Sequence, residues 1–279
     1  MAGTRVARRS VVVLVAIGVL VTAAAFAVRS WITDKLPIPQ SASCDISNSP
    51  YSLSTEQAAN AATISAIATA RELPTRAVTI AMATALQESK LLNIEYGDRD
   101  SVGLFQQRPS QGWGSHGQIM DPRYAAGRFF DALVKVSGWQ AMQLTAAAQA
   151  VQKSGHPTAY QRWEDQAGTL AKAFTGAGPA LVSCSFPEPT VAASPAKVLQ
   201  LLDLELPATQ LSTTAQFGEL RASAPWATVG WLVAKADRLG IETVALDGRR
   251  WTRTDGWRVD SSAAADRIRF EVAKIPPSA

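Results

Sequence analysis

Residues 11–28 carry no charged side chain, and a run of 18 such residues falls within the ~17–25 that a helix needs to cross a bilayer. Arg5, Arg8 and Arg9 precede the run and Arg29 follows it. By the positive-inside rule the N-terminus then stays in the cytoplasm, and the chain from about residue 30 onward faces outside. Ala25-Phe26-Ala27 also fits a signal-peptide cleavage site, although a signal-peptide core usually has only ~7–15 apolar residues. The sequence therefore predicts either a single-pass cell-membrane protein with its folded part extracellular, or a protein secreted after cleavage. A transport reading fails on topology, because one span cannot enclose a pathway and the run holds no ionisable residue.

Export places the cysteines in an oxidising compartment, where disulfides persist. The chain has two, Cys44 and Cys184. Their pairing closes a loop of about 140 residues and restricts the unfolded chain by ~4–5 kcal/mol in the entropy model; the alternative is two unrelated buried thiols. The two histidines, His116 and His156, are too few for a His/Cys metal centre, and neither a metal nor a cofactor is expected. Most of the net charge of +4 comes from Arg5, Arg8 and Arg9. Global charge thus identifies no partner, and no nucleic-acid partner is expected.

A chain of 279 residues exceeds the ~100–150 usual for one domain, and its composition breaks twice. Pro37, Pro39, Ser41, Ser43, Ser47 and Pro50 mark a linker over 29–52, and a second break falls at 185–195. After a basic segment at 1–10 and the apolar run at 11–28, the sequence predicts an all-α domain over 53–184 and a small α+β domain over 196–279. The chain is α+β overall. Ser54 and Gln57 have capping-box spacing, Pro74 ends the first helix, and 75–86 is apolar on every face, as a buried central helix must be. Further helices are expected over 121–136, 144–153 and 158–174. In the C-terminal part Val229, Leu232, Val233 and Ala236 follow helical spacing, with Gly240 as the stop. Leu246-Asp247-Gly248-Arg249 reads as a hairpin, Asp255-Gly256 as a second turn, and Ile268, Phe270 and Val272 as alternate positions of a strand.

Glu88 follows the apolar helix and shares its face with Ala81, Thr84 and Ala85. Low polarity favours a protonated carboxyl, which a general acid toward a glycosidic oxygen requires; a solvated surface carboxylate is the alternative. Ala85-Leu86-Gln87-Glu88-Ser89-Lys90, a polar loop with Ser101, and Gly103-Leu104-Phe105-Gln106-Gln107 with Pro109 follow in order. Together they resemble the Glu-Ser and Gly-Leu-Met-Gln motifs of the soluble lytic transglycosylases, whose fold the goose-type lysozymes share.

That resemblance implies a lysozyme-like α domain acting on peptidoglycan, with Glu88 as its single catalytic acid/base. In such enzymes the acid protonates the oxygen between N-acetylmuramic acid and N-acetylglucosamine, and the muramyl 6-hydroxyl attacks to leave a 1,6-anhydro end. The resemblance further implies that Ser89 helps fix or contact the substrate, that Gly103 lets the backbone approach the sugar, and that Gln106 lines the cleft beside Phe105. A tight turn over a core phenylalanine is the alternative for the last three. The family's third motif, Ala-Tyr-Asn on a later helix, is missing: Ala147-Ala148-Gln149-Ala150-Val151-Gln152 stands there, with Gln149 or Gln152 as substitutes. Tyr160 is too far along the chain to align.

Glu95, Asp98 and Asp100 offer either a solvated acidic loop or a second carboxylate of the kind an inverting hydrolase holds ~6.5–9.5 Å away to activate water. Trp113, Tyr124 and Trp139 offer flat faces for sugars or for packing. His116 has no nucleophile elbow beside it. From about residue 195, Trp231-Leu232-Val233-Ala234, Arg250-Trp251, Gly256-Trp257 and Asp266-Arg267-Ile268-Arg269-Phe270 resemble a module of secreted cell-wall proteins that is distantly similar to zinc D-Ala-D-Ala carboxypeptidases. Where those often have Asp-His-Val-His, this chain has Asp266-Arg267-Ile268-Arg269, and zinc peptidase chemistry is excluded. Trp251 and Trp257, with Arg249, Arg250, Arg253 and Arg258, form either a platform for anionic wall ligands or an ordinary cross-strand pair. Two functional readings follow: a peptidoglycan-cleaving enzyme held to the cytoplasmic membrane through residues 11–28, or a noncatalytic wall-binding scaffold that keeps the fold. The sequence identifies no protein partner.

Overall fold

In the computed structural model, residues 42–153 and 158–274 are described. The basic segment at 1–10, the apolar run at 11–28 and most of the linker at 29–52 lie outside them, as does His156. Among the described residues no helix is long and apolar enough to cross a membrane. The protein mixes helix and sheet, as expected of an α+β chain.

The segment over 53–184 is not purely helical. β1 (Ser43–Ile46), β2 (Ser52–Leu53) and β3 (Val182–Ser185) form an antiparallel sheet in the order β2-β1-β3. Cys44 and Cys184 are register partners across β1 and β3, and a disulfide joins them. These strands are too short to leave a readable alternation in the sequence, and their pairing is set by residues far apart in the chain.

Between the strands, α1 (Thr55–Ala70) starts on the expected capping box, with Ser54 and Gln57 each bonding the other's backbone. α2 (Thr75–Ser89) is buried continuously from Ala77 to Leu86. It is the central helix: α1, α4 (Pro122–Leu133), α5 (Leu144–Gln152) and α6 (Glu164–Phe174) all pack on it. The short α3 (His116–Ile119) precedes α4. The helix expected from 158 begins only at Glu164, because Gln161–Trp163 form a tighter 3-10 turn.

The C-terminal part contains α7 (Pro195–Asp203), β4 (Thr209–Thr213), β5 (Phe217–Arg221), α8 (Pro225–Ala234), α9 (Ala236–Leu239), β6 (Ile241–Leu246), β7 (Arg249–Thr252), β8 (Gly256–Val259) and β9 (Ile268–Val272). Its antiparallel sheet runs β4-β5-β9-β6-β7-β8. Asp247 and Gly248 both have positive φ, 49° and 67°, the geometry that a two-residue hairpin turn demands.

Among the described residues an apolar core extends from Cys44 to Val272, and these residues belong to one compact unit. α8, buried from Ala227 to Ala234, packs on α1 and α6 with one side and on β3 and β6 with another. The connection at 185–195 is irregular but docked. Phe186 is fully buried with its ring edge-on to Trp251, and the Arg253 guanidinium donates to the carbonyls of Pro187 and Ala236. Trp251 and Trp257 are cross-strand partners that donate to the Cys184 and Val182 carbonyls at 3.0 and 2.8 Å. The two tryptophans therefore hold the two sheets together, and Arg250 is bound to Asp260. An open tryptophan platform is not formed.

Where α8 meets α1, Lys235 Nζ donates to Thr63 Oγ1 at 2.7 Å and to Glu205 Oε1 at 2.9 Å, while Trp231 Nε1 donates to Glu205 Oε2 at 2.7 Å. Burial lowers the Lys235 pKa, with Glu205 opposing. Removing one partner of a buried pair strands the other, at a cost of ~3–5 kcal/mol. Glu205→Gln, which keeps an acceptor for Trp231, is expected to lower stability by about 3 kcal/mol. The change should be read as a lower denaturation midpoint at unchanged slope.

Candidate functional site: a groove at Glu88

α2 ends abruptly because Lys90 and Leu91 both take left-handed backbone conformations, with φ of 58° and 62°. Their amides bond back to the Leu86 and Ala85 carbonyls, and Leu91 is buried. Gln57 and Asn60 of α1 donate to the Lys90 and Leu91 carbonyls, each at 2.8 Å. Glu88 is thereby fixed in the last turn of the central helix. Ser89 points inward: its hydroxyl bonds the Leu104 carbonyl at 2.7 Å and is buried. It ties the helix end to the following turn instead of reaching the groove.

In that turn Val102 and Gln107 exchange both backbone hydrogen bonds. Gly103 has φ of +77°, and a Cβ there would lie 2.8 Å from the Ile119 carbonyl, so only glycine fits without strain. Phe105 is fully buried and stacked on Phe129 at 4.8 Å; its carbonyl accepts from Gln152 Nε2 at 2.8 Å. Phe105 is thus a support, whereas Gln106 and Gln152 line the groove. Gln149, three residues earlier on α5, does not line it.

Tyr160, which the sequence did not connect with Glu88, is fully buried, and its hydroxyl donates to Glu88 Oε1 at 2.7 Å. The turn that carries it is fixed by Gln87, whose Oε1 accepts from both Arg162 Nη2 and Trp163 Nε1 at 2.8 Å. Lys90 lies 4.4 Å over the Trp163 ring. Its pKa is lowered, first by burial and then by Arg162, while Glu88 opposes. The residue before Glu88 therefore positions the turn that delivers Tyr160. The adjacent polar residues Gln87 and Glu88 at the end of an apolar helix were the only trace of this in the sequence.

Glu88 opens into a cavity of about 530 Å³ lined also by Asp98, Ser101, Gln106, Trp113 and Gln152. A second cavity of about 540 Å³ shares Gln111, Trp113, Gln152 and Lys153 with it, so the two are halves of one elongated groove. Asp100 braces the rim. The Ser110 amide and then the Arg108 guanidinium hold its carboxyl well below the usual carboxylate range. Asp98 lines the groove and Glu95 does not. Trp113 walls both halves, while Trp139 is buried in the core and the Tyr124 ring packs over Gly114. His116 begins α3 and lines neither half.

No protein-family model matches the chain, and no curated protein matches it.

Proposed function

We propose that the protein cleaves peptidoglycan glycan strands in this groove, in the manner of a lytic transglycosylase, with Glu88 as the general acid/base. Residues 11–28 hold it to the outer face of the cytoplasmic membrane. The observation that carries the reading is the 2.7 Å bond from buried Tyr160 to Glu88 inside an elongated groove walled by a tryptophan. A carboxyl whose plane is held by a buried donor is set for proton transfer, and an indole face suits a sugar ring. The Glu-Ser and Gly-Leu-Phe-Gln segments support the same reading, as does a bundle of helices around the buried α2.

In this mechanism the Glu88 carboxyl gives its proton to the glycosidic oxygen as the bond to the muramyl C1 breaks. The resulting carboxylate then accepts the proton of the hydroxyl that attacks C1, which restores the acid. Tyr160 acts by fixing the carboxyl and so completes a role for which the sequence shows no Ala-Tyr-Asn segment.

Purified full-length protein is expected to release soluble glycan fragments from isolated peptidoglycan. Binding to the sacculus without release would leave the noncatalytic scaffold as the reading. Tyr160→Phe is expected to lower kcat about 10- to 100-fold, the worth of one hydrogen bond to a charged group, with KM nearly unchanged. A change confined to stability would show that the tyrosine serves packing alone.

A further inference from the structure

The six-stranded sheet buries one face and sets charges along the other. Leu220, Phe270, Val244 and Trp251 are buried, whereas the strand register makes neighbours of Glu219, Arg269, Ala245 and Arg250 across β5, β9, β6 and β7. Ala245 is the one short side chain of that row, so it leaves a gap between Arg269 and Arg250. The Asp247 and Gly248 amides bond the Ala264 and Ala263 carbonyls at 2.7 and 3.1 Å, which holds the loop after β8 beside the row. The result is a cavity of about 410 Å³, lined by Glu219, Glu271, Arg250, Arg267, Arg269 and Ser262-Ala263-Ala264 around Ala245. That size suits a small ligand, and no residue of this cavity lines the groove at Glu88.

The charged groups of the cavity are only loosely satisfied by one another. Arg267 lies 3.4 Å from Glu219, and Arg269 lies 3.7 Å from Glu219 and 3.4 Å from Glu271, well beyond the ~2.7–2.9 Å of a close ionic hydrogen bond. A guanidinium carries several N–H donors; Arg250, Arg267 and Arg269 each use one among the described residues. The Arg269 Nε is buried without a partner. Asp260 balances Arg250, so Glu219, Glu271 and Asp260 cancel the three arginines. A bare anion meets the two glutamates, and a bare cation meets the arginines.

We infer that this cavity is a binding site for an α-amino-acid dipolar ion, either a free amino acid or the dipolar end of a longer peptide side chain. The arginines take its carboxylate through spare N–H donors, Glu219 and Glu271 take its ammonium group, and Ala245, Ala263 and Ala264 give a small apolar side chain its place.

Calorimetric titration of the full-length protein with alanine, N-acetylalanine and alanine amide tests the site. Alanine is expected to bind in the millimolar range or tighter. The two blocked forms, each lacking one charge, are expected to bind at least about tenfold more weakly, the worth of a hydrogen bond to a charged group. Nε-acetyllysine keeps the dipolar end on a longer chain and is expected to bind as well; tighter binding than alanine makes the ligand a peptide side chain, and weaker binding makes it a free amino acid. Arg267→Gln and Glu271→Gln are each expected to weaken alanine about tenfold and, because they break only loose pairs, to keep the wild-type denaturation midpoint. Either blocked form binding as tightly as alanine overturns the inference. So does an affinity that both substitutions leave unchanged, or the binding of no probe at all.

Discussion

Replacing Glu88 with glutamine is expected to lower the rate of strand cleavage by about 10³-fold, the middle to upper range for loss of a general acid. Glutamine has nearly the same shape, and its amide oxygen still accepts from Tyr160, whose hydroxyl lies 2.7 Å from Glu88 Oε1. The variant is therefore expected to fold with a denaturation midpoint close to that of the wild type and to bind strands with little change in KM. The loss falls on kcat, because an amide cannot give up a proton to the glycosidic oxygen. Initial rates and denaturation curves on the same preparations separate the two effects. Cleavage within tenfold of the wild-type rate would take the acid role from Glu88 and leave Asp98, which lines the same half of the groove, as its holder.

Cys44→Ala with Cys184→Ala is expected to cost about 5 kcal/mol of stability, the chain-entropy value for a loop of this length. The bond spans 140 residues and closes the helical part between its first and last strands, β1 and β3. A typical domain is stable by only ~5–15 kcal/mol, so the loss is a third or more of the total. Reductant is expected to move the wild-type denaturation midpoint down to that of the double variant and to leave the double variant itself unmoved. A double variant as stable as the wild type would show that the β1–β3 pairing and the shared core suffice alone.

The parts of this molecule that were legible in its sequence are those fixed by neighbours along the chain. The Ser54–Gln57 capping box, the all-round burial of α2, the Asp247-Gly248 turn and the alternation of β9 each follow from residues within a few positions of one another. β4 left no signal because it is exposed along its whole length and so has no buried face to alternate. The break at 185–195 was visible as composition, but its docking depends on Phe186 meeting Trp251 and on Arg253 reaching back to Pro187. The site divides in the same way. Glu88 and Gly103 were legible from local motifs, Ser89 and Phe105 proved to be buried supports beneath the groove, and Tyr160 was missed. Its contact with Glu88 spans 72 residues and depends on Gln87 anchoring a 3-10 turn, which no periodicity announces.

The measurement that bears most directly on Glu88-dependent glycan cleavage is mass spectrometry of peptidoglycan digested by the wild-type and Glu88→Gln proteins side by side. Fragments with 1,6-anhydromuramyl ends from the wild-type protein alone are the expected result. A sacculus that both proteins bind and neither digests would contradict it.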